Sequence, residues 1–145
     1  MIRINIVCVG KIKEKYIKDG IEEFLKRLSK YVKLDIIELT EEDDNKGIKN
    51  AVDVETQRII DAISKKNYSY SILLDLSGKM MTSVEMAEKI EEISLTSSEI
   101  NFIIGGSNGV ADKLREIVNF RLAFSNFTFP HQLMRLILVE QIYRW

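Results

Sequence analysis

The stretch that most constrains the fold is the last third of the chain, residues 100–145, which begins with a short apolar run ended by glycines. Ile100 to Ile104 is short, mostly apolar and rich in β-branched residues, which is typical of a buried strand. The cluster Gly105-Gly106-Ser107-Asn108-Gly109 ends this strand. Because glycine has no Cβ, a ligand can approach the main chain closely there. Ligands in open α/β sheets bind at the carboxyl ends of strands, so we expect a binding site at this turn.

The rest of the chain alternates between strand and helix patterns. Strands are predicted at residues 2–9, 33–39, 71–76, 100–104 and 121–124, and helices at 14–31, 48–66, 83–94, 112–118 and from the Pro130 turn onward. Thr82 and Glu85 have the spacing of a capping box, and residues 77–79 are predicted to form a turn. The alternation predicts one α/β domain over residues 1–145, with a mainly parallel sheet and helices on both faces. A Rossmann-like or a flavodoxin-like fold satisfies this pattern.

Composition and charge narrow the functional classes. With 46% hydrophobic and 30% charged residues the chain is typical of a soluble globular protein, and its apolar runs are shorter than the ~18 residues of a membrane span. With no signal-peptide pattern, we expect a cytoplasmic protein without membrane contact. Residues 1–33 carry nine Lys and Arg against four Asp and Glu, whereas residues 34–99 carry seven against fifteen. The lysines at positions 11, 13, 15 and 18 are therefore either an RNA-binding face or a solvated surface.

The glycine cluster does not match the common nucleotide-binding motifs. It is not G-x-G-x-x-G, and Gly78-Lys79 has Leu73 where a P-loop needs its first glycine. One histidine and one cysteine cannot build a standard zinc site, so no metal is expected. Cys8 lies in an apolar run and is predicted to be a packed thiol. Taken alone, the glycine cluster is more typical of a plain turn than of a site.

Further motifs give the cluster a specific context. They are IGGSNG at 104–109, FSNFTFPHQLMR at 124–135, EQIYR at 140–144 and VGKIKEKY at 9–16. In this order they resemble the small SPOUT-class methyltransferases that modify a pseudouridine in bacterial 23S ribosomal RNA, the ribosomal RNA large subunit methyltransferase H family. The resemblance covers nearly the whole chain. It implies a C-terminal trefoil knot, which topology rules alone would discard.

The resemblance also implies a cofactor, S-adenosyl-L-methionine, held in a bent conformation by three loops that follow strands. Its binding residues would be Leu74 in β-strand 71–76, Gly105 at the glycine turn, and the loop residues Phe124, Ser125, Asn126, Phe127, Thr128 and Phe129. Main-chain groups can bind the adenine edge while Leu74, Phe127 and Phe129 remove water from it. For Leu74 and the phenylalanines, ordinary core packing is the alternative.

For catalysis the resemblance points to His131 and Arg144. The expected reaction moves the cofactor's methyl group to N3 of a pseudouridine, which requires removal of the N3 proton. His131 is the only side chain here that ordinarily titrates near neutrality, and capping of the last helix is its alternative role. Arg144 would hold phosphate or base, although an arginine at a helix end also compensates the helix dipole.

The expected partners are 23S rRNA within the 70S ribosome and a second copy of the chain. The last helix carries apolar residues on more than one face, which favours a homodimer, although a helix central to one core would look similar. The family pattern continues beyond Tyr143-Arg144 with residues that help to complete the substrate site. A truncated or divergent knotted cofactor-binding protein, associated with ribosomes without turnover, is therefore the alternative to an active enzyme.

Overall fold

The computed structural model describes residues 2–66 and 68–145, so Met1 of the expected domain lies outside the described residues. The predicted alternation of strands and helices is confirmed. The elements are β1 (Arg3–Val9), α1 (Lys15–Leu28), β2 (Lys33–Leu39), α2 (Ile48–Ser64), β3 (Ser69–Met80), α3 (Ser83–Ser94), β4 (Glu99–Ile104), α4 (Asp112–Ile117), β5 (Phe120–Ala123) and α5 (His131–Arg144). In the described part of the chain, no helix has the length and apolar character needed to cross a membrane.

The five strands form one sheet in the order β2-β1-β4-β3-β5, and all neighbouring strands are parallel. This confirms the predicted parallel sheet. Since β4 is the central strand, the glycine turn that follows it emerges in the middle of the sheet's carboxyl edge. The ends of β1 and β3 lie on either side of that turn.

Helices cover both faces of the sheet, as predicted. Alternate side chains of each strand point to opposite faces. Ile6 and Phe102 belong to the core layer beneath α1, α3 and α5, whereas Val7 and Ile103 belong to the layer beneath α2 and α4. Cys8 is buried in the first layer, and burial raises the pKa of its thiol to about 11. This is the environment of a packed thiol, which is too basic to serve as a nucleophile at neutral pH.

Strand β3 differs from its prediction. Residues 77–79 do not close the strand; after leaving register, β3 pairs with β5 again, so Leu122 is the partner of both Leu74 and Lys79. The four residues 75–78 bulge away between these two pairings. A Cβ on Gly78 would lie 2.6 Å from the carbonyl carbon of Arg121, so only glycine lets the bulge pass this close to β5. Ser-Gly-Lys thus marks a bulge, because pairing with a strand distant in sequence restores the extended conformation.

Helix boundaries follow local hydrogen bonds. The predicted capping box of α3 is confirmed, since Glu85 N donates to Thr82 Oγ1 (3.1 Å) and Thr82 N donates to Glu85 Oε1 (2.9 Å). Helix α1 ends at Leu28, earlier than predicted, because Tyr31 N and Val32 N both donate to the Leu28 carbonyl. Pro130 has an extended conformation (φ −55°, ψ 138°) and precedes α5, whereas we had expected it inside the first turn.

Candidate functional site

A cavity of about 760 Å³ opens at the carboxyl ends of β3 and β4. Its walls come from three segments: the β3 bulge, the glycine turn with the start of α4, and the loop that joins β5 to α5. The lining residues are Leu74, Asp75, Leu76, Ile104, Gly105, Gly106, Ser107, Gly109, Val110, Arg115, Leu122, Phe124, Ser125, Phe127, Thr128, Phe129, Pro130, His131 and Met134.

Most of the predicted site residues line this cavity. They are Leu74, Gly105, Phe124, Ser125, Phe127, Thr128, Phe129 and His131. Asn126 belongs to the same loop but does not line the cavity, and Arg144 lies at the other end of α5. The structure thus brings the predicted cofactor-binding residues other than Asn126 together with His131, and it leaves Arg144 apart from them.

The glycine turn is shaped by close contacts that exclude side chains. A Cβ on Gly105 would lie 2.7 Å from Val110 Cγ1, and one on Gly106 would lie 2.6 Å from Glu55 Oε1. Gly109 has φ +84°, a conformation that glycine adopts most readily, and its N–H donates to the Gly106 carbonyl (3.0 Å). Main-chain atoms therefore form this wall of the cavity.

Helix α2 supports the glycine turn from behind. Thr56 Oγ1 accepts a hydrogen bond from Ala111 N (2.9 Å), and Glu55 Oε2 accepts one from Glu42 N (2.9 Å). Burial raises the pKa of Glu55, and the carboxylates of Glu41 and Asp44 raise it further, which outweighs the hydrogen bond from Glu42 N and the charge of Arg58. Neither residue was expected from the sequence to support the site, because both lie in an unremarkable stretch of helix some 50 positions before the turn.

The loop of residues 124–130 holds the exposed rings of Phe127 and Phe129 at the cavity, whereas Phe124 packs against the core beside Trp145. Phe127 is 77% exposed, which excludes core packing as its role. Ser125 Oγ accepts a hydrogen bond from Phe127 N (2.9 Å) and so fixes the bend of the loop. A ligand in the cavity would find an apolar, partly open wall on this side.

Sequence reasoning missed a charged pair in the cavity wall, Asp75 and Arg115. The Asp75 side chain is only 6% exposed, and Arg115 Nε donates to it (2.8 Å) while Arg121 lies 3.5 Å away. Burial alone would raise the pKa of Asp75, but hydrogen bonds from Ser77 and the Arg115 guanidinium hold it below its ordinary value. Asp75 could have been suspected as a polar residue at a strand end. Arg115 gave no signal, because it is 40 positions away in sequence.

His131 is the first residue of α5 and is partly buried at the cavity. Burial lowers the pKa of His131 below its ordinary value; the positive charges of Arg135 and Lys13 act in the same direction, and Glu41 opposes them. The imidazole is therefore neutral at neutral pH and able to accept a proton. The described residues contain no group of three or more His, Cys, Asp or Glu side chains placed to hold a metal ion.

Arg144 is exposed, and among the described residues it bonds only within its own helix, where its guanidinium donates to Glu140 Oε1 (Nε to Oε1, 3.1 Å). This bond raises the pKa of Arg144 still further above neutrality. Thirteen positions separate it from His131, and at 1.5 Å per residue this is about 20 Å along α5. One chain therefore does not place the two predicted catalytic residues at the same point.

The family model described as "Predicted SPOUT methyltransferase" matches residues 2–145. A protein of Fusobacterium nucleatum is 54% identical over 143 residues, which cover 98% of this chain and 92% of the relative. Relatives from Clostridioides difficile (50% identical; 97% and 91% covered) and Desulforamulus reducens (49%; 100% and 93%) are similarly close. All three are named ribosomal RNA large subunit methyltransferase H. The chain belongs to the SPOUT methyltransferase family, and it shares that family's α/β-knot fold and its enzymatic activity, methyl transfer.

Proposed function

We propose that the protein is an S-adenosyl-L-methionine-dependent methyltransferase that methylates N3 of a pseudouridine in 23S rRNA of the assembled 70S ribosome, acting as a homodimer. The observation that carries this proposal is the cavity at the carboxyl edge of the sheet, where Leu74, Gly105, the aromatic loop and His131 meet. The names of the relatives supply the substrate class, the RNA of the large ribosomal subunit.

The residues present fit S-adenosyl-L-methionine. Gly105 and Gly106 expose main-chain atoms where a Cβ would collide with Val110 or Glu55, and main-chain donors and acceptors suit an adenine edge. Leu74, Phe127 and Phe129 provide apolar walls, and about 760 Å³ lies within the range of small-molecule sites. When bound, this cofactor supplies an electrophilic methyl group on a sulfonium.

His131 is the proposed proton acceptor. N3 of a pseudouridine carries a weakly acidic hydrogen that must leave as the new N–C bond forms. His131 faces the cavity and is neutral, which gives it a free nitrogen lone pair for this proton. Phe127 and Phe129 give the cavity an apolar border on the side of His131.

The homodimer rests on the surface of α5. One side of this helix packs closely on α1, where a Cβ on Gly20 would lie 3.0 Å from Leu136 Cδ1. On α5, Leu133, Met134 and Ile137 stay only partly buried. A two-fold pairing of α5 with α5 would cover these residues. An antiparallel pairing would also place Arg144 of each subunit near His131 of its partner, since the helix is about 20 Å long.

The primary test is transfer of radiolabelled methyl groups from S-adenosyl-L-methionine to purified 70S ribosomes that lack the modification. We expect transfer to one pseudouridine of 23S rRNA, with little transfer to a free hairpin of the same sequence. Net charge is only −1, so the protein has little general attraction for naked RNA. Cofactor binding without transfer to ribosomes or hairpin would refute the proposed activity. A monomeric mass by sedimentation at micromolar concentration would refute the dimer.

A further inference from the structure

Arg135 is the most unusual side chain in the core: it is 0% exposed and lies one helical turn after His131. Its Nη1 donates to Glu38 Oε2 at the end of β2 (2.7 Å). Its Nη2 donates to the carbonyls of Gly10 (3.1 Å) and Val9 (3.4 Å) at the end of β1. One guanidinium thus ties α5 to the carboxyl ends of two neighbouring strands.

Stability does not account for this arginine. Desolvating a guanidinium is expensive, and apolar replacements of buried ion pairs are often neutral or stabilising. Leu138 and Val139, the next inward residues of α5, are apolar and fully buried. In addition, Arg135 Nε is buried without a hydrogen-bond partner among the described residues. An apolar residue would suit this layer of the core, so the arginine calls for a functional explanation.

The position of Arg135 supplies a functional explanation, because the start of α5 lacks a cap of its own. Pro130, the residue before the helix, makes no side-chain cap hydrogen bond. Instead, Gln132 Oε1 accepts a hydrogen bond from Lys13 N (3.0 Å), and Arg135 binds Gly10. These two links and the Arg135–Glu38 pair together form a clamp. The clamp joins the start of α5 to residues 9–13 and to the end of β2. His131 is the first residue of α5, so the clamp fixes its place.

The clamp also sets the charge around His131. The described charged groups that act on His131 are Arg135 from its own helix, Lys13 from the segment after β1, and Glu41 from the loop after β2. Arg135 is shielded from solvent, so its charge is screened less than that of exposed Lys13. A fixed positive charge one turn away disfavours a second positive charge on the imidazole.

We propose that Arg135 is a positioning residue of the methyl transfer, which through the clamp holds His131 at the cavity in position to accept the proton. This inference rests on the proposed function of His131 as proton acceptor. Arg135 does not touch the substrate, because it has no exposed surface. It acts on the reaction only through His131.

The test uses the fact that His131 is the only histidine of the chain, so its ring protons can be assigned directly in an NMR titration of the full-length protein. Arg135→Gln removes the positive charge and the N–H donors of the planar guanidinium. We expect the His131 pKa to move upward, and kcat on 70S ribosomes to fall about 10- to 100-fold as the base is misplaced. The acid limb of the rate profile should move to higher pH, whereas cofactor affinity should remain the same.

Arg135→Lys separates charge from geometry. Lysine keeps the positive charge but cannot bridge Glu38 and two carbonyls as the planar guanidinium does. We expect the His131 pKa to stay near its wild-type value while kcat still falls. Arg58→Gln is the matched control, because Arg58 makes a similar pair with Glu42 (3.0 Å) and the Thr40 carbonyl (2.8 Å). It should leave the His131 titration unchanged.

Either of two results with the arginine variants would overturn the proposal. One is a folded Arg135→Gln protein with wild-type His131 titration and wild-type kcat. The other is a loss of thermal stability and kcat in both arginine variants without any shift of the His131 pKa in Arg135→Gln, which would make Arg135 purely structural. If Arg135→Gln does not fold, Glu38→Gln replaces it, because Glu38 is 38% exposed and its substitution weakens the clamp on Arg135. We then expect kcat to fall while cofactor affinity stays the same, and an unchanged kcat would also overturn the proposal. The titration does not require turnover, so inactivity on ribosomes would refute the proposed function separately.

Discussion

The two ends of α5 differ in what holds them and in what they face. At the first end, His131 lines the cavity and the clamp binds the helix to β1 and β2. At the second end, Arg144 is exposed and bonds to Glu140, while the Trp145 ring stacks on Phe102 (6.0 Å between centroids). The first end is therefore anchored at the cavity, and the second end packs against the core with its charged group free of the site.

This difference shows that two residues from motifs on the same helix need not lie close together in the folded site. His131 and Arg144 belong to one continuous helix, and the helix itself keeps them about 20 Å apart. A rigid helix cannot bring its own ends together. Arg144 can reach a His131 only in another molecule.

The largest difference between the ends should appear on removal of each side chain. His131→Ala should lower kcat on ribosomes about 10²- to 10⁴-fold, the usual contribution of a general base. Arg144→Ala should lower kcat by a smaller factor, because an exposed arginine paired with Glu140 does not take the proton. Isothermal calorimetry should show nearly unchanged cofactor affinity for both variants. Equal losses of kcat would contradict the assignment of different roles to the two ends.

The pH profile of the wild-type enzyme sharpens the same prediction. The neutral imidazole is the active form, so the rate should fall as pH drops through the His131 pKa. Because burial and Arg135 lower this pKa, the acid limb should lie below the ordinary histidine value of about 6.5. His131→Asn should abolish that limb. A limb above 6.5, or one that survives the substitution, would exclude His131 as the base.

The second effect concerns the cavity beside the first end. Gly105→Ala would place a Cβ 2.7 Å from Val110 Cγ1, and the resulting strain of about 1–3 kcal/mol should weaken cofactor binding about 5- to 150-fold. The matched variant is Gly105→Ala with Val110→Ala, which removes the colliding methyl group. It should recover most of the affinity in calorimetry. Failure of this rescue in a folded protein would mean that the ligand itself needs the space at Gly105.

The glycine turn illustrates what the sequence could predict. A β-branched run followed by glycines is a local pattern, so β4 and its turn were predicted from the residues alone, whereas the choice of a binding site over a plain turn depended on the family resemblance. The cofactor-binding role of the aromatic loop was predicted only from the family resemblance, because Phe127 by itself is equally typical of a core residue. The exposure of Phe127 now excludes that alternative.

The features that sequence reasoning missed all depend on contacts between distant segments. The β3 bulge exists because residues 79 and 80 pair with β5, and the Asp75–Arg115 pair joins positions 40 apart. The clamp joins Arg135 to residues 9, 10 and 38. No periodicity within a single element encodes such contacts. Arg135 in particular occupies an inward position where the helical pattern predicts an apolar residue.

The third prediction concerns Arg144, at the second end of α5, and whether it acts at the cavity of a partner subunit. Mixing His131→Ala with Arg144→Ala subunits creates heterodimers in which one cavity has an intact His131 together with an intact Arg144 from the partner. If Arg144 acts across the interface, random mixing should restore about a quarter of the wild-type rate. If Arg144 acts within its own chain, no cavity regains both groups. The control is each variant incubated alone under the same exchange conditions, with methyl transfer as the readout.

The smallest effect concerns the lysines beside the first end. The clamp shows that residues 10–13 lie against the start of α5 in the same chain. Lys11→Gln with Lys15→Gln should raise KM for ribosomes a few-fold and reduce the salt dependence, since each lost phosphate contact removes about 0.7 from the slope against log salt. Lys13 is left intact because its charge also lowers the pKa of His131.

Lys30→Gln with Lys33→Gln is the matched control, as these exposed lysines lie at the opposite edge of the sheet, where β2 begins. An equal rise in KM for both pairs would mean that general charge, and not the segment next to His131, attracts the ribosome.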